Sequence, residues 1–245
     1  MSQARRFLTA EWRYLVMLNY HIDPMVLRPF VPQGTELDSW QDQTFISIVG
    51  FMFRNTRLLG LPVPGHINFE ELNLRFYVRR KGPEGWRRGV VFIKELVPRW
   101  AIATTARLVY NENYAAVPMR HEIVSDERET AVFYQWRWQN MWHSVQIQAH
   151  GQPQPLQPGS QEEFITEHYW GYARQRDGGT VEYQVEHPPW NVWQATNYQF
   201  ECDVASLYGP TFAPALQAAP ASAFLADGSA VTVRQGVRIQ KEKNP

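Results

Sequence analysis

The chain has 245 residues, a formal net charge of zero and a single cysteine, Cys202. It has no Lys- or Arg-rich run longer than a few residues, which argues against nucleic-acid binding, and one cysteine excludes an internal disulfide. No apolar run reaches the roughly 18 residues of a membrane helix, and the first residues lack a signal-peptide core. We therefore expect a cytoplasmic protein with a reduced thiol and with neither a nucleic-acid nor a membrane partner.

The first part of the chain predicts strands around one short helix. Residues 12–20 form the first predicted strand. Asp23 followed by Pro24 is typical of an N-cap and a first helical position, which predicts a helix over 24–30. A hairpin is then expected within residues 36–55, before a proline-containing loop.

Residues 66–121 form the block around which the rest is organised. Apolar residues recur at every second position, the period of a half-buried strand, while polar residues take the other parity. The apolar set is Leu72, Leu74, Phe76 and Val78, and the polar set is Asn73, Arg75, Tyr77 and Arg79. A turn, a second strand over 86–97 and an Ala-rich helix over 99–110 follow. Charged residues inside these strands either face outward or function, because an unpaired buried charge is costly; they are Glu70, Glu71, Lys94 and Glu95.

The remaining sequence again favours strands. A capping box that begins at Ser160 predicts a helix over 161–170. Asp227-Gly228 predicts a hairpin turn between strands 221–226 and 229–234. We expect a single β-rich domain over 1–245, with an ordered core of about 7–236 and two or three short helices.

Seven stretches of the chain resemble the DUF2071 (YqjF-like) family: FLTAEWRYLVMLNY, DPMVLRPFVPQGTELD, FEELNLRFYVRR, WRRGVVFIKELVPR, LVYNENYAAVPM, VEHPPWNVW and LYGPTFA. That family is similar to the acetoacetate decarboxylase superfamily. The resemblance implies a mainly β (α+β) fold, a closed, cone-like β-barrel with a flanking sheet and a central pocket. Acetoacetate decarboxylase itself forms a Schiff base through a lysine whose pKa an adjacent lysine lowers.

The superfamily's motifs place two candidate binding residues on this chain. Its Tyr-x-Glu motif falls on Phe69-Glu70-Glu71, so the resemblance implies that Glu71 is a pocket carboxylate. Its first-strand arginine falls on Arg13. Without the resemblance, an ion pair that ties two strands together explains Arg13 and Glu71 about as well as a ligand clamp does.

The catalytic lysines of the superfamily are missing. Their positions fall on Tyr114 and Ala115, a second pocket glutamate falls near Val49, and the chain contains no Lys-Lys pair. This departure excludes acetoacetate decarboxylation by the usual mechanism. Tyr114 is more often core packing than a catalytic acid. Lys94 could enter the barrel as a desolvated amine, although such a lysine more often extends outward to solvent.

Two classes of function follow. The first is a protein that binds a small carboxylate-bearing or aromatic molecule through Arg13, Glu71 and Tyr114. All three should face one cavity, with Arg13 near enough to bond Glu71 directly or through one water. The second is an enzyme of lyase or isomerase type on a keto or enol substrate, with Glu71, Tyr114 or Lys94 as catalytic candidates. The first is favoured because the lysine pair is absent. The seven histidines lack metal-ligand spacing, so neither a metal nor another cofactor is predicted, and homo-oligomer formation stays open.

Overall fold

The computed structural model of the chain describes residues 4–98 and 113–239. Its strands are β1 (Arg6–His21), β2 (Glu36–Leu37), β3 (Phe45–Leu58), β4 (Leu61–Pro62), β5 (Phe69–Gly82), β6 (Gly85–Val97), β7 (Tyr114–Ala116), β8 (Met119–Ser125), β9 (Glu129–Trp138), β10 (Met141–His150), β11 (Gln154–Pro155), β12 (Trp170–Arg174), β13 (Thr180–Glu186), β14 (Asn191–Glu201), β15 (Ser222–Arg234) and β16 (Val237–Arg238). Its helices are α1 (Pro24–Leu27), which continues as a 3-10 turn (Arg28–Phe30), α2 (Gln161–Thr166), α3 (Val204–Tyr208) and α4 (Ala213–Leu216).

The long strands close into a ring. In order around it, β13, β12, β6, β5, β3, β1 and β15 pair with their neighbours, and β15 pairs back with β13. The ring pairings are antiparallel except that of β12 with β6. Closure removes the free edges that an open sheet would expose. The ring corresponds to the closed barrel expected from the sequence.

A flanking sheet covers the outer face of the ring. It continues from β15 through β14, β10 and β9 to β8. Between this sheet and the ring lies a core of buried apolar side chains, which includes Leu74, Phe76, Tyr134 and Trp136. Gly50 permits the close approach, because a Cβ atom at this position would lie 3.0 Å from the ring of Tyr134. The expected flanking sheet is therefore present.

The inner face of the ring is also buried. A second group of buried side chains lines it, including Phe45, Phe51, Phe69, Tyr77 and Trp190. Because both faces of β5 are covered, every residue from Phe69 to Val78 is buried. The polar parity of β5 therefore faces the interior of the ring, where a site can form.

The helix predictions have different outcomes. The prediction over 24–30 is confirmed, with the Asp23 carboxylate accepting a hydrogen bond from the Met25 amide at 2.8 Å. The prediction over 161–170 is too long, because Glu167 adopts φ −85° and ψ 57° and Trp170 begins β12. The helix predicted over 99–110 lies outside the described residues. Within those residues there are four short α-helices, not two or three, because α3 and α4 were not anticipated.

The hairpin predicted at Asp227-Gly228 is wrong, because β15 runs through both residues. Gly228 has φ +77°, and a Cβ atom there would lie 2.0 Å from the carbonyl oxygen of Trp12. On the paired strand, Tyr14 has φ 57°. The turn-favouring residues thus form a bend in two paired strands, where glycine allows the backbones to approach.

Candidate functional site

A cavity of about 200 Å³ lies inside the ring. One water needs about 10–15 Å³ of such space, so the cavity is more than ten times the minimum for a single water. Side chains from β1, β3, β5, β6 and β13 form most of its wall, joined by residues next to α2 and β14. The cavity is therefore large enough for a small organic molecule.

Strand β5 shows that the cavity is elongated. Phe69, Glu71, Asn73 and Arg75 all line it, at every second position. At the rise of a strand, these six residue steps span about 20 Å along the wall. The cavity therefore has a polar end near Arg75 and a second end near Phe69.

Arg75 lies at the polar end and is 8% exposed. Its Nη2 donates to the carbonyl oxygen of Ile165 at 3.3 Å, and its guanidinium carbon lies 5.6 Å from the centre of the Tyr77 ring. Within residues 4–98 and 113–239, its Nε has no hydrogen-bond partner and its guanidinium forms no ion pair. A buried cation held only by a carbonyl and an aromatic ring is suited to receive an anion.

Glu71 and Tyr114 meet in the middle of the cavity. The Tyr114 hydroxyl donates to Glu71 Oε2 at 3.2 Å, and the Asn73 amide donates to Oε1 at 3.1 Å. Tyr114 reaches this position because β7 pairs parallel to β6, opposite Glu95. The structure thus brings together two of the three residues that were expected to share one cavity.

Arg13 does not join them. Its Nε and Nη2 donate to Glu11 Oε2 at 3.0 and 2.9 Å, and its Nη1 donates to the carbonyl oxygen of Gly228. The side chain is 37% exposed and is not part of the cavity wall. The expected bond between Arg13 and Glu71 is therefore not formed.

The reason is the alternation of β1. Trp12 lines the cavity, so the next side chain, that of Arg13, emerges on the opposite face. The positive φ of Tyr14 then adds a kink that returns Leu15 to the inner face. An alignment error of one residue in a strand moves a side chain across the wall.

Lys94 also lies outside the cavity. Its Nζ donates to the carbonyl oxygen of Leu207 at 2.5 Å and lies 4.8 Å from the Trp138 ring centre, on the face toward the flanking sheet. Burial lowers the pKa of this amine. The hypothesis that Lys94 enters the barrel is therefore wrong, and neither of the two described lysines, Lys81 and Lys94, lines the cavity.

A β-bulge explains the position of Lys94. The pairing of β5 with β6 shifts by one residue at Ile93. Phe92 faces the cavity, but the extra residue reverses the parity after it, so that Glu95 faces inward. Strict alternation along β6 would place Lys94 on the same face as Phe92.

His168 forms a buried group with Asp38 and Arg88 beside the polar end. Its Nε2 lies 3.5 Å from Asp38 Oδ2, which accepts a 2.7 Å hydrogen bond from Arg88 Nε. Burial lowers the pKa of His168 to about 4, despite the opposing effect of Asp38. Burial would raise the pKa of Asp38, but His168 and Arg88 outweigh it and hold the value at about 2. At neutral pH the cavity therefore meets a neutral imidazole.

Aromatic rings form the other end of the cavity. The rings of Phe53 and Phe69 stack with centroids 4.6 Å apart, and Trp12 contacts Phe53 edge-on at 5.9 Å. His187 stacks on Trp190 at 4.2 Å, so the His-Pro-Pro-Trp segment contributes to this wall. These rings suit an apolar or aromatic part of a ligand.

Other chemistry finds little support in the described part of the chain. No group of three or more His, Cys, Asp or Glu side chains there could hold a metal ion. Burial, with a smaller effect of Asp203, raises the pKa of Cys202 to about 12, so the thiol is protonated at neutral pH. None of the described helices combines the length and hydropathy needed to cross a membrane.

Sequence reasoning missed Arg75, Asn73 and His168. A signal for the first two existed: they share the parity of Glu71, so a cavity position for Glu71 implies the same for both. The alternation had instead placed them on the polar face. His168 follows α2 in a loop, where no periodicity predicts direction.

Two solved structures define the class of fold. The acetoacetate decarboxylase of Legionella pneumophila subsp. pneumophila str. Philadelphia 1 matches with a TM-score of 0.66 and 12% identity, over 96% of this chain and 88% of its own. The enduracididine biosynthesis enzyme MppR, complexed with pyruvate, matches with a TM-score of 0.69 and 13% identity, over 98% and 92%. The chain has an acetoacetate decarboxylase-like fold, as the sequence resemblance implied.

The chain belongs to the DUF2071 family, described as an uncharacterized conserved protein, which it matches over residues 9–230. The uncharacterized protein YqjF of Bacillus subtilis (strain 168) is 30% identical over 188 residues, 75% of this chain and 74% of YqjF. The predicted family is thereby confirmed. The solved structures are so distant in sequence that they show a common fold but not a common function.

Proposed function

We propose that the protein binds a small organic carboxylate inside the ring, with the carboxylate on Arg75 and an apolar or aromatic body between the rings at the other end. One observation carries this proposal: the Arg75 guanidinium is buried in the cavity wall and forms no ion pair with any described residue. Burying a charge without a counterion is unfavourable, and a bound carboxylate removes that cost through charge-assisted hydrogen bonds.

Two carboxylates, Glu71 and Glu95, line the same cavity as Arg75, and neither forms an ion pair with it. Glu71 is four residues from Arg75 on β5, about 13 Å along the strand, which is too far for an ion pair with the guanidinium. His168 is neutral at pH 7 because burial lowers its pKa to about 4. The distant structural relative MppR is described in complex with pyruvate, a small carboxylate, which makes this ligand class a reasonable first probe.

The test compares charged and uncharged probes by isothermal titration calorimetry. We expect 3-phenylpropanoate to bind and its primary amide to bind at least tenfold more weakly, because the amide cannot form the ion pair. Arg75→Gln should abolish this preference for the acid. Arg79→Gln is the matched control, since Arg79 lies on the same strand but pairs with Glu36 at the surface at 2.7 Å.

Arg13→Gln separates the two candidate arginines. Because Arg13 is bonded to Glu11 outside the cavity, its replacement should leave binding of 3-phenylpropanoate unchanged. The proposal is wrong if the acid and the amide bind equally, or if Arg75→Gln binds the acid as tightly as the parent protein does.

A second candidate is an enzyme that moves a proton on a small keto acid. The observation that favours it is the Glu71 carboxylate, which accepts hydrogen bonds from Tyr114 and Asn73 in the middle of the cavity. In this scheme Glu71 removes a proton from the carbon next to the ketone, which leaves an enolate, and the proton later returns to carbon. Asn73 and Tyr114 hold the carboxylate in position.

Proton exchange tests this candidate directly. Pyruvate in deuterated buffer should lose its methyl proton signal in the NMR spectrum faster with protein than without it. Glu71→Gln should return the rate to the buffer value, and Tyr114→Phe should reduce it by about 10²-fold. Exchange that stays at the buffer rate eliminates the enzyme and leaves the binding protein.

A further inference from the structure

We propose that the ligand carries a second polar group, a neutral oxygen acceptor such as a carbonyl, at the end of the cavity remote from Arg75. This inference rests on the proposed carboxylate site, because it describes the other end of the same molecule. It depends on a different observation, which concerns two buried hydrogen-bond donors that the binding scheme above does not use.

Those side chains are Trp12 and Thr56, which both line the cavity. The indole Nε1 of Trp12 and the hydroxyl of Thr56 are buried, and among residues 4–98 and 113–239 neither has a hydrogen-bond partner. Thr56 as a whole is 5% exposed. Buried polar groups are normally satisfied, and each one left unpaired destabilises the fold, so two in one cavity indicate a ligand group.

Strand pairing separates this pair from Arg75. Arg75 lies opposite Ser47 on β3, while Trp12 lies opposite Phe53 on the same strand. Six residue steps correspond to about 20 Å along the strand. Thr56 follows three residues further in the same direction. The two donors therefore belong to the aromatic end, and the reach of the side chains shortens the gap that a ligand must span.

The chemistry of the pair favours a neutral acceptor. An indole N–H can only donate, and a threonine hydroxyl can donate to the same oxygen. Phe53, Phe69 and Trp190 at this end carry no charge. Burial lowers the pKa of His187, which stacks on Trp190, and so favours its neutral form. A ketone, ester or ether oxygen accepts two hydrogen bonds here without the desolvation cost that a second carboxylate would bring.

The experiment compares pairs of ligands of the same shape. In each pair a phenylalkanoate carries either a para-acetyl or a para-isopropyl group, and the alkanoate linker is lengthened stepwise to adjust the span. Calorimetry should give about tenfold tighter binding for the acetyl compound at the best linker length. Thr56→Val and Trp12→Phe should each reduce this advantage, measured as the ratio of the acetyl to the isopropyl affinity within one variant.

Trp142→Phe is the matched control for Trp12→Phe, since Trp142 is an exposed tryptophan on β10 and should leave both affinities unchanged. Thermal unfolding without ligand shows that each variant is folded. Equal affinity within every pair, with the acids still bound through Arg75, overturns this inference alone. Failure of every phenylalkanoate to bind overturns the carboxylate site and this inference together.

Discussion

The two faces of the wall formed by β5 and β6 are both buried, but they bury different chemistry. The outer face presents Leu74 and Phe76 to a closely packed core, to which the flanking sheet contributes Tyr134 and Trp136. The inner face presents Glu71 and Arg75 to a cavity. Burial alone therefore does not separate a core from a site. What separates them is what borders the buried side chains: a closely packed core on the outer face and a cavity on the inner face.

The same contrast appears between two cations of the wall, the half-buried Lys94 and the buried Arg75. Lys94, on the outer side, is held by a backbone carbonyl and the face of a tryptophan. Arg75, on the inner side, also has a carbonyl and an aromatic ring, but it borders the cavity and its Nε has no hydrogen-bond partner among residues 4–98 and 113–239. The outer face should thus determine stability, and the inner face should determine binding.

The largest expected effect on stability comes from replacing a phenylalanine of the outer face, compared with one of the inner face. Phe76→Ala should lower the free energy of unfolding by about 3–5 kcal/mol, because Phe76 is fully buried in the outer core and its loss leaves a void. Phe53→Ala should lower it by about 2 kcal/mol, because Phe53 already borders the cavity. Urea unfolding measures both values. Equal losses, or a larger loss for Phe53→Ala, would contradict the division.

A smaller effect concerns acid stability and His168. Burial lowers the pKa of this imidazole from 6.5 to about 4. Between these pH values the unfolded chain binds a proton that the folded chain does not. The contribution of His168 to the free energy of unfolding is therefore complete above pH 6.5 and falls as the pH drops. The fall is at most about 1.4 kcal/mol per pH unit and on the order of 3 kcal/mol in total.

The charged groups around His168 set the lower limit of this window. Asp38 and Arg88 contact each other beside it, and Arg75 lowers its pKa. The pKa of Asp38 is about 2, below its usual 3.8, so its own contribution is lost only at still lower pH. In urea unfolding at pH 7.5, 5.5 and 4.5, His168→Gln should flatten the loss of stability between pH 6.5 and 4. His150→Gln, at an exposed histidine, is the control and should lose stability with falling pH as the parent protein does. If His168→Gln also loses stability as the parent does, other groups cause the loss.

Much of the fold could be predicted because strand periodicity and the family motifs act over many residues. The helix at Asp23 was found from its cap, and the strands of the central block from their period. The predicted turn was wrong because the same residues are compatible with two backbone structures. Asp227-Gly228 permits a hairpin turn but also a bend in a paired strand, and only the approach of Trp12 decides between them.

The site could be predicted only in part because a residue's direction depends on register. Glu71 and Tyr114 were placed together correctly, from motifs carried over from the superfamily. Arg13 was placed on the wrong face because one residue separates it from Trp12. The bulge at Ile93 cannot be read from the alternation of β6, since it arises from pairing with β5.

The smallest expected effect on stability is that of replacing Lys94, on the outer face of the wall. Lys94→Met removes the hydrogen bond to Leu207 and the contact with Trp138, but it also removes a cation whose pKa burial has lowered. These contributions oppose each other, so the free energy of unfolding should change by less than about 1 kcal/mol. Carboxylate binding should not change, because Lys94 faces away from the cavity. Borohydride with a small ketone should then trap no adduct on Lys94 in the folded protein. A trapped adduct, absent from Lys94→Met, would mean that this amine reaches a substrate and that the outer face takes part in catalysis.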